Sequence, residues 1–224
     1  MQAVVRAVVF DLDGTLVESA PDLHAAAVRM LAGLGRPALD LATVTGFVGN
    51  GVGKLVERCL VATGGEDGLQ AEALAAFHRH YAAAPTALTR PYEGVADALA
   101  ALAAAGLPLG VCTNKPEAMA RRVLADLDLA APFGAVVGGD TLPVLKPDPA
   151  PLRLCLEQLG LPGAHALYVG DSETDEATAR AAGLPFALFT RGYRKRAAES
   201  FEARFAFERY ADLPGLIRDR LAPA

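Results

Sequence analysis

The apolar run Val8-Val9-Phe10 ends abruptly in Asp11-Leu12-Asp13-Gly14-Thr15. Read as a buried strand, it brings Asp11 and Asp13 out at its carboxyl end, where open α/β sheets place their ligand sites. Two acids there are costly unless a cation or a reaction uses them. The same Asp-x-Asp also suits a solvated turn, so the rest of the chain must decide between the two.

Short apolar runs recur at residues 4–10, 107–112, 135–137, 166–169 and 185–189, with a weaker sixth at 205–207. Helical patterns lie between them at 95–104, 117–127, 149–159 and 174–182. Gly106, Gly160 and Gly183 follow three of these as helix stop signals. Strands alternating with helices predict an α/β fold with a Rossmann-like, mostly parallel sheet and right-handed crossovers.

One interval breaks the rhythm. From residue 18 to residue 86 the patterns are helical, from Pro21 onward, at 52–63 and at 69–84, with no convincing strand. A parallel crossover needs far fewer residues. The interval therefore reads as an all-helical insert, with Pro85 and Pro91 bracketing the return. The expected organisation is a core of residues 1–17 and 87–224 and an inserted domain at 18–86.

Composition narrows the class. The 52% hydrophobic content supports a large core, and a net charge of −5 argues against a broad nucleic-acid surface. The basic run 191–196 is short and reads as a solvated loop. Cys59, Cys112 and Cys155 are widely spaced without a Cys-x-x-Cys pair, which fits buried thiols in a reducing compartment rather than disulfides or zinc. No stretch approaches the ~20 apolar residues of a membrane span. A cytoplasmic protein is expected, either monomer or homodimer, with no nucleic-acid or membrane partner.

Three further constellations fall at strand ends. Thr113-Asn114 closes the second run just before a helix, where a hydroxyl and backbone N–H groups suit a phosphate, although an N-cap and turn look the same. Lys146 lies between Leu145 and Pro147-Asp148-Pro149, where prolines fix the backbone beside it; alone it reads rather as a solvated lysine. Gly170-Asp171 ends the fourth run, and Asp175 lies one helical turn on, able to face the same way or simply to cap the helix. Together these sites would bring four carboxylates, a hydroxyl and an ammonium to one sheet edge. Oxygen donors without His or Cys select a hard cation, Mg²⁺ before zinc. Asp11 is then a candidate nucleophile and Asp13 a candidate acid/base.

The set Asp11-Leu12-Asp13-Gly14-Thr15, Thr113-Asn114, Lys146-Pro147 and Gly170-Asp171 with Asp175 resembles, in order, the four motifs of the haloacid dehalogenase-like hydrolases. The insert resembles that superfamily's helical cap. Ser19-Ala20-Pro21-Asp22-Leu23, Gly49-Asn50-Gly51, Thr113-Asn114-Lys115-Pro116, Gly138-Gly139-Asp140-Thr141-Leu142-Pro143 and Lys146-Pro147-Asp148-Pro149 further resemble the bacterial phosphoglycolate phosphatases. The resemblance implies a two-step phosphoryl transfer from a small phosphorylated metabolite. In it Asp11 forms an aspartyl-phosphate, and Asp13 protonates the leaving group and then activates water. Asp11, the Asp13 carbonyl and Asp171 would bind Mg²⁺, with Asp175 acting from behind or through water. Thr113 and Asn114 would hold phosphoryl oxygens beside Lys146.

Three positions depart from that pattern: Thr174 for Asn, Glu176 for an apolar residue, and Arg191-Gly192-Tyr193 for Tyr-Gly-Tyr. Substrate choice is expected in the cap. There Lys54 and Arg58 share a helical face and could hold a substrate carboxylate, or form a solvated basic face. Thr15 is a further candidate substrate contact. His24, His78, His80 and His165 match no motif and read as structural or surface residues. The expected activity is hydrolysis of 2-phosphoglycolate. The rivals are a phosphatase for a sugar phosphate such as N-acetylmuramate 6-phosphate, a phosphomutase, and a non-catalytic scaffold that intact motifs disfavour.

Overall fold

The computed structural model describes residues 5–65, 68–162 and 166–221; the expectation for His165 lies outside them. The first strand, β1 (Ala7–Phe10), is buried on both faces, as an unbroken apolar run requires of a central parallel strand. The chain leaves through β2 (Val17–Glu18) into α1 (Ala20–Gly33), α2 (Leu41–Thr45), α3 (Val52–Ala62) and α4 (Gln70–Ala83), and returns through β3 (Arg90–Pro91). It then alternates through α5 (Val95–Ala104), β4 (Leu109–Cys112), α6 (Glu117–Asp126), β5 (Phe133–Val137), α7 (Ala150–Gln158), β6 (Ala166–Gly170), α8 (Glu173–Ala182), β7 (Phe186–Phe189), β8 (Phe205–Phe207) and α9 (Leu213–Leu221).

Strands β1 and β4 to β8 form one parallel sheet in the order β5-β4-β1-β6-β7-β8. After β5 the chain crosses β1 to begin β6, so the winding reverses at the centre and leaves a crevice beyond the carboxyl ends of β1, β4 and β6. Alternate residues of β1 feed two cores. Val8 and Phe10 pack with Leu99, Val123 and Ile217 on one face, whereas Ala7 and Val9 pack with Leu152, Leu156 and Ala179 on the other.

The α/β reading holds, with shifted strand edges. The first strand begins at Ala7, after an exposed Arg6. The next begins at Leu109, because Pro108 has no N–H for the ladder; its carbonyl accepts from Val8 N at 3.1 Å. The weak sixth run is a true edge strand.

The helices of the insert bury their own cluster. Leu23, Ala27, Met30 and Leu31 line one stripe of α1, facing Val56, Cys59 and Leu60 of α3 and Ala73, Phe77 and Tyr81 of α4. The short α2 and the terminal α9 fell below the sequence signal, as did β2 and β3. The last two pair antiparallel, Val17 with Pro91 and Glu18 with Arg90, so both connections to the insert run side by side.

A buried carboxylate clamps that junction. Asp22 accepts from Leu88 N at 2.9 Å, and from Thr89 N and Thr89 Oγ1 at 2.7 Å each. Asp22→Ala leaves those donors unpaired, and each costs ~1–3 kcal/mol where water cannot replace the carboxylate. Chemical denaturation should show a loss of roughly 2–4 kcal/mol; a loss below about 0.5 kcal/mol would mean that water takes over the clamp.

Candidate active site

The carboxyl ends of β1 and β6 place acids in contact. Gly170 lets the chain turn tightly from β6 into α8: a Cβ there would lie 2.4 Å from the Asp175 side chain. Asp11, Asp171 and Asp175 are buried, and their nearest oxygens all lie within 4.8 Å of one another. Lys146 Nζ stands between them, 3.0 Å from Asp11 Oδ1 and 2.8 Å from Asp175 Oδ1. Its remaining contact is the Tyr168 hydroxyl at 2.9 Å.

The three acids differ in how they are satisfied. Asp175 is saturated: Oδ1 meets Lys146 and lies 3.1 Å from the Tyr168 hydroxyl, and Oδ2 accepts from Asp171 N, Ser172 N and Ser172 Oγ. Asp171 accepts from Thr15 Oγ1 at 2.7 Å and from Tyr193 N at 2.6 Å. Asp11 Oδ1 is buried without an aligned hydrogen bond. Burial, opposed by Lys146 and reinforced by Asp175, raises Asp11 from an ordinary 3.8 to about 6. Burial and the neighbouring Asp175 and Asp11 push Asp171 well above the carboxylate range. For Lys146, burial works against the charge, but Asp11 and Asp175 overcome it and raise its pKa. Underused, crowded, buried carboxylate oxygens are what a hard cation would relieve, so the donor set fits such an ion.

Asp13, half-buried, accepts from Ser19 Oγ at 2.6 Å and from Lys115 Nζ, 2.8 and 2.9 Å from its two oxygens. Lys115 is itself buried. Nothing in Thr113-Asn114-Lys115-Pro116 says which way the lysine turns, so this contact is not legible in the sequence. Thr113 is buried at the end of β4 and lines the cavity. The Asn114 amide is committed elsewhere: Nδ2 donates to Gly49 O and Lys146 O, at 3.0 Å each, and Oδ1 accepts from Lys146 N at 2.9 Å. What Asn114 offers a phosphate is therefore its backbone rather than its side chain.

A cavity of about 200 Å³ opens between this edge and the insert. It lies below the ~300–1,000 Å³ of drug-sized pockets and suits a very small ligand. Asp11, Asp13, Thr113 and Lys115 line it from the core, and Val52, Leu55, His78 and Tyr81 from the insert.

Three expected substrate contacts lie elsewhere. Lys54 points to solvent and pairs with Glu57 at 2.6 Å. Arg58 donates to Phe47 O and Asn50 Oδ1, bracing the loop at Gly49 rather than reaching the cavity. Thr15 is wholly buried behind Asp171 and orients it. Shared helical face was the wrong criterion for Lys54 and Arg58: it says nothing about which face meets the core. Of the histidines, His24 bonds Leu39 O at 2.8 Å and is structural, whereas His78 stands at the cavity mouth.

The run 191–196 is less free than its composition suggests. Tyr193 spans from Asp171 to the start of α1, where its hydroxyl meets Ser19 N, Ala20 N and Glu18 Oε1. Arg196 pairs with the buried Glu176 and lies 4.4 Å over the Phe201 ring.

Known proteins resemble this chain in sequence and fold. The family model described as haloacid dehalogenase-like hydrolase matches residues 5–183. A phosphoglycolate phosphatase of Cereibacter sphaeroides is 50% identical over 217 residues, covering 96% of this chain and 99% of its own. Another from Rhodospirillum rubrum is 48% identical over 214 residues, covering 93% and 89%. Among solved structures, a predicted phosphoglycolate phosphatase from Haemophilus somnus superposes with a TM-score of 0.89 at 29% identity, covering 95% of this chain and 97% of that one. With four-fifths of its length under the family model and a relative half identical over nearly the whole chain, this chain belongs to the haloacid dehalogenase-like hydrolases.

Proposed function

We propose that the protein is a Mg²⁺-dependent phosphatase that hydrolyses 2-phosphoglycolate to glycolate and phosphate. The observation that carries this is the apposition of Asp11, Lys146 and Asp171 beneath a cavity too small for a large ester. Relatives about half identical over nearly the full length, and named phosphoglycolate phosphatases, support the substrate. Apolar walls at Leu23, Val52 and Leu55 offer a sugar's hydroxyls no partners, which favours a short acid over a sugar phosphate.

In this reading an Asp11 oxygen attacks phosphorus in line. The ester oxygen leaves and takes a proton from Asp13. Asp13 then takes a proton from water, whose oxygen attacks phosphorus and releases the Asp11 carboxylate. Lys146 neutralises charge between Asp11 and the phosphoryl group, while the Thr113 hydroxyl and the Asn114 backbone hold phosphoryl oxygens. Asp11, the Asp13 carbonyl and Asp171 would hold Mg²⁺, with Asp175 behind them or acting through water; the ion neutralises phosphoryl charge when bound. Residues 18–86 form the cap that excludes bulk water, over a core of 1–17 and 87–224. The buried thiols suit a cytoplasmic enzyme.

Assays with Mg²⁺ over a panel of small phosphate esters, including N-acetylmuramate 6-phosphate, should show 2-phosphoglycolate preferred. Asp11→Asn should lose at least ~10³-fold in turnover, since deleting a nucleophile typically costs more than this. Retention of activity within tenfold would remove Asp11 from the role.

The same acids make a pH prediction. A carboxyl raised in the folded state stabilises at low pH, and that contribution is lost as pH rises through the folded value. For Asp11 the window runs from 3.8 to about 6. Metal-free protein should lose this contribution across that window, and Mg²⁺ should raise Tm above it but hardly below it. Asp11→Asn should leave the metal-free Tm near pH 7 at or above wild type and shrink the Mg²⁺ response. A Mg²⁺ response equal at both ends of the window would refute metal binding by this cluster.

A further inference from the structure

Apart from His78 at its exposed mouth, the cavity is polar at two places. One is the reacting edge at Asp11. The other is formed across the gap between core and cap, by Lys115 after β4 and Tyr81 at the end of α4. Both side chains are nine-tenths buried or more: Tyr81 is 4% exposed and Lys115 6%. The Lys115 ammonium lies 4.8 Å from the Tyr81 ring centroid. The Tyr81 hydroxyl, although buried, has no hydrogen-bond partner of normal geometry among the described residues. A buried hydroxyl left unsatisfied is destabilising. Such a group at the wall of a ligand cavity is one that a ligand completes.

We propose that Lys115 and Tyr81 form the subsite for the substrate's carboxylate, so that specificity for a short phosphorylated acid is read across the closed cap. This deepens the phosphoglycolate phosphatase reading and rests on it. Lys115 already touches Asp13, the group that serves the ester oxygen. In 2-phosphoglycolate one methylene separates that oxygen from the carboxylate, so an anion held beside Asp13 is at the right remove. An ammonium has three N–H donors, which lets Lys115 keep a contact to Asp13 and give another to the ligand. The Tyr81 O–H supplies the second donor. On the cap wall Val48, Val52 and Leu55 are apolar and the other polar side chain, His78, is exposed at the mouth, so Lys115 and Tyr81 are the buried donors that face the anion.

Lys54 is exposed and paired with Glu57, and Arg58 is committed to Phe47 O and Asn50, whereas Lys115 is anchored just after the core strand and buried where the charge is worth most.

The test pairs 2-phosphoglycolate with ethyl phosphate, which keeps the ester and lacks the carboxylate. Tyr81→Phe should lose about tenfold in kcat/KM on 2-phosphoglycolate, mainly through KM, and stay within about twofold on ethyl phosphate. Lys115→Met should lower both, because it also frees Asp13, but should cost 2-phosphoglycolate at least about tenfold more. If Tyr81→Phe proves unstable, the excess loss in Lys115→Met decides alone. Equal losses on the two substrates in both variants, or a wild-type preference that both variants keep, would overturn the subsite while leaving the phosphatase reading intact. A wild type that turns over ethyl phosphate but shows no preference for 2-phosphoglycolate would overturn the substrate reading, and the subsite with it.

Discussion

Mutual repulsion among buried carboxylates is the constraint around which this molecule is built. Two unit charges 4 Å apart cost ~4 kcal/mol at an effective dielectric of 20. Asp11, Asp171 and Asp175 are all buried with oxygens within 4.8 Å of one another, and Lys146 is the cation between two of them. The surrounding chain holds the cluster together with donors. Asp175 alone receives Lys146 and three donors from the turn into α8, and Thr15 and the Tyr193 backbone pin Asp171. Asp11 receives least, and it is the acid left with reactive capacity. A site that spends its donors on two carboxylates and leaves the third short is prepared for a cation and an electrophile.

Tethering explains features that look unrelated to catalysis. The Asn114 side chain joins the end of β4, the backbone on both sides of Lys146 and Gly49 of the cap. Through it the position of Lys146 and the edge of the cavity are set together. Tyr193 does the same on the other side, joining Asp171 to the first turn of α1. A residue type suited to phosphate binding thus serves first as a strut.

The sequence carried the core well and the cap poorly, for a physical reason. Strand ends bearing Asp11, Thr113 and Asp171 converge because a parallel sheet leaves them no other place, and the loop between β5 and α7 returns Lys146 to the same edge, so motif and topology together gave the candidate site. Element edges moved where a local effect intervened, as at Pro108, and β2, β3, α2 and α9 were too short or too weakly periodic to stand out. The cap contacts could not be derived this way. Which face of α3 or α4 meets the core depends on how four helices pack, and the apolar stripe of α4 carries Tyr81 to the cavity while Lys54 turns to solvent. Lys115 was hidden because an acidic partner a hundred residues away, rather than its neighbours, decides where it points.

The residues that depart from the resemblance have contacts of their own. Glu176, acidic where an apolar side chain is common, is buried against Arg196 and accepts from Glu202 N at 2.6 Å, so the basic run and the extra acid account for each other. Thr174 accepts from Asn50 at 3.2 Å, and Arg58 braces Asn50 in turn. Over the cavity, then, the cap meets the core through single neutral hydrogen bonds at Asn50 and Gly49, each worth ~0.5–1.5 kcal/mol net. At the junction the Asp22 carboxylate ties the two connections with several stronger, charge-assisted bonds. The weaker hydrogen bonds thus lie over the cavity and the charge-assisted ones at the paired connections. A cap that moved as proposed would yield first over the cavity while the connections held its register.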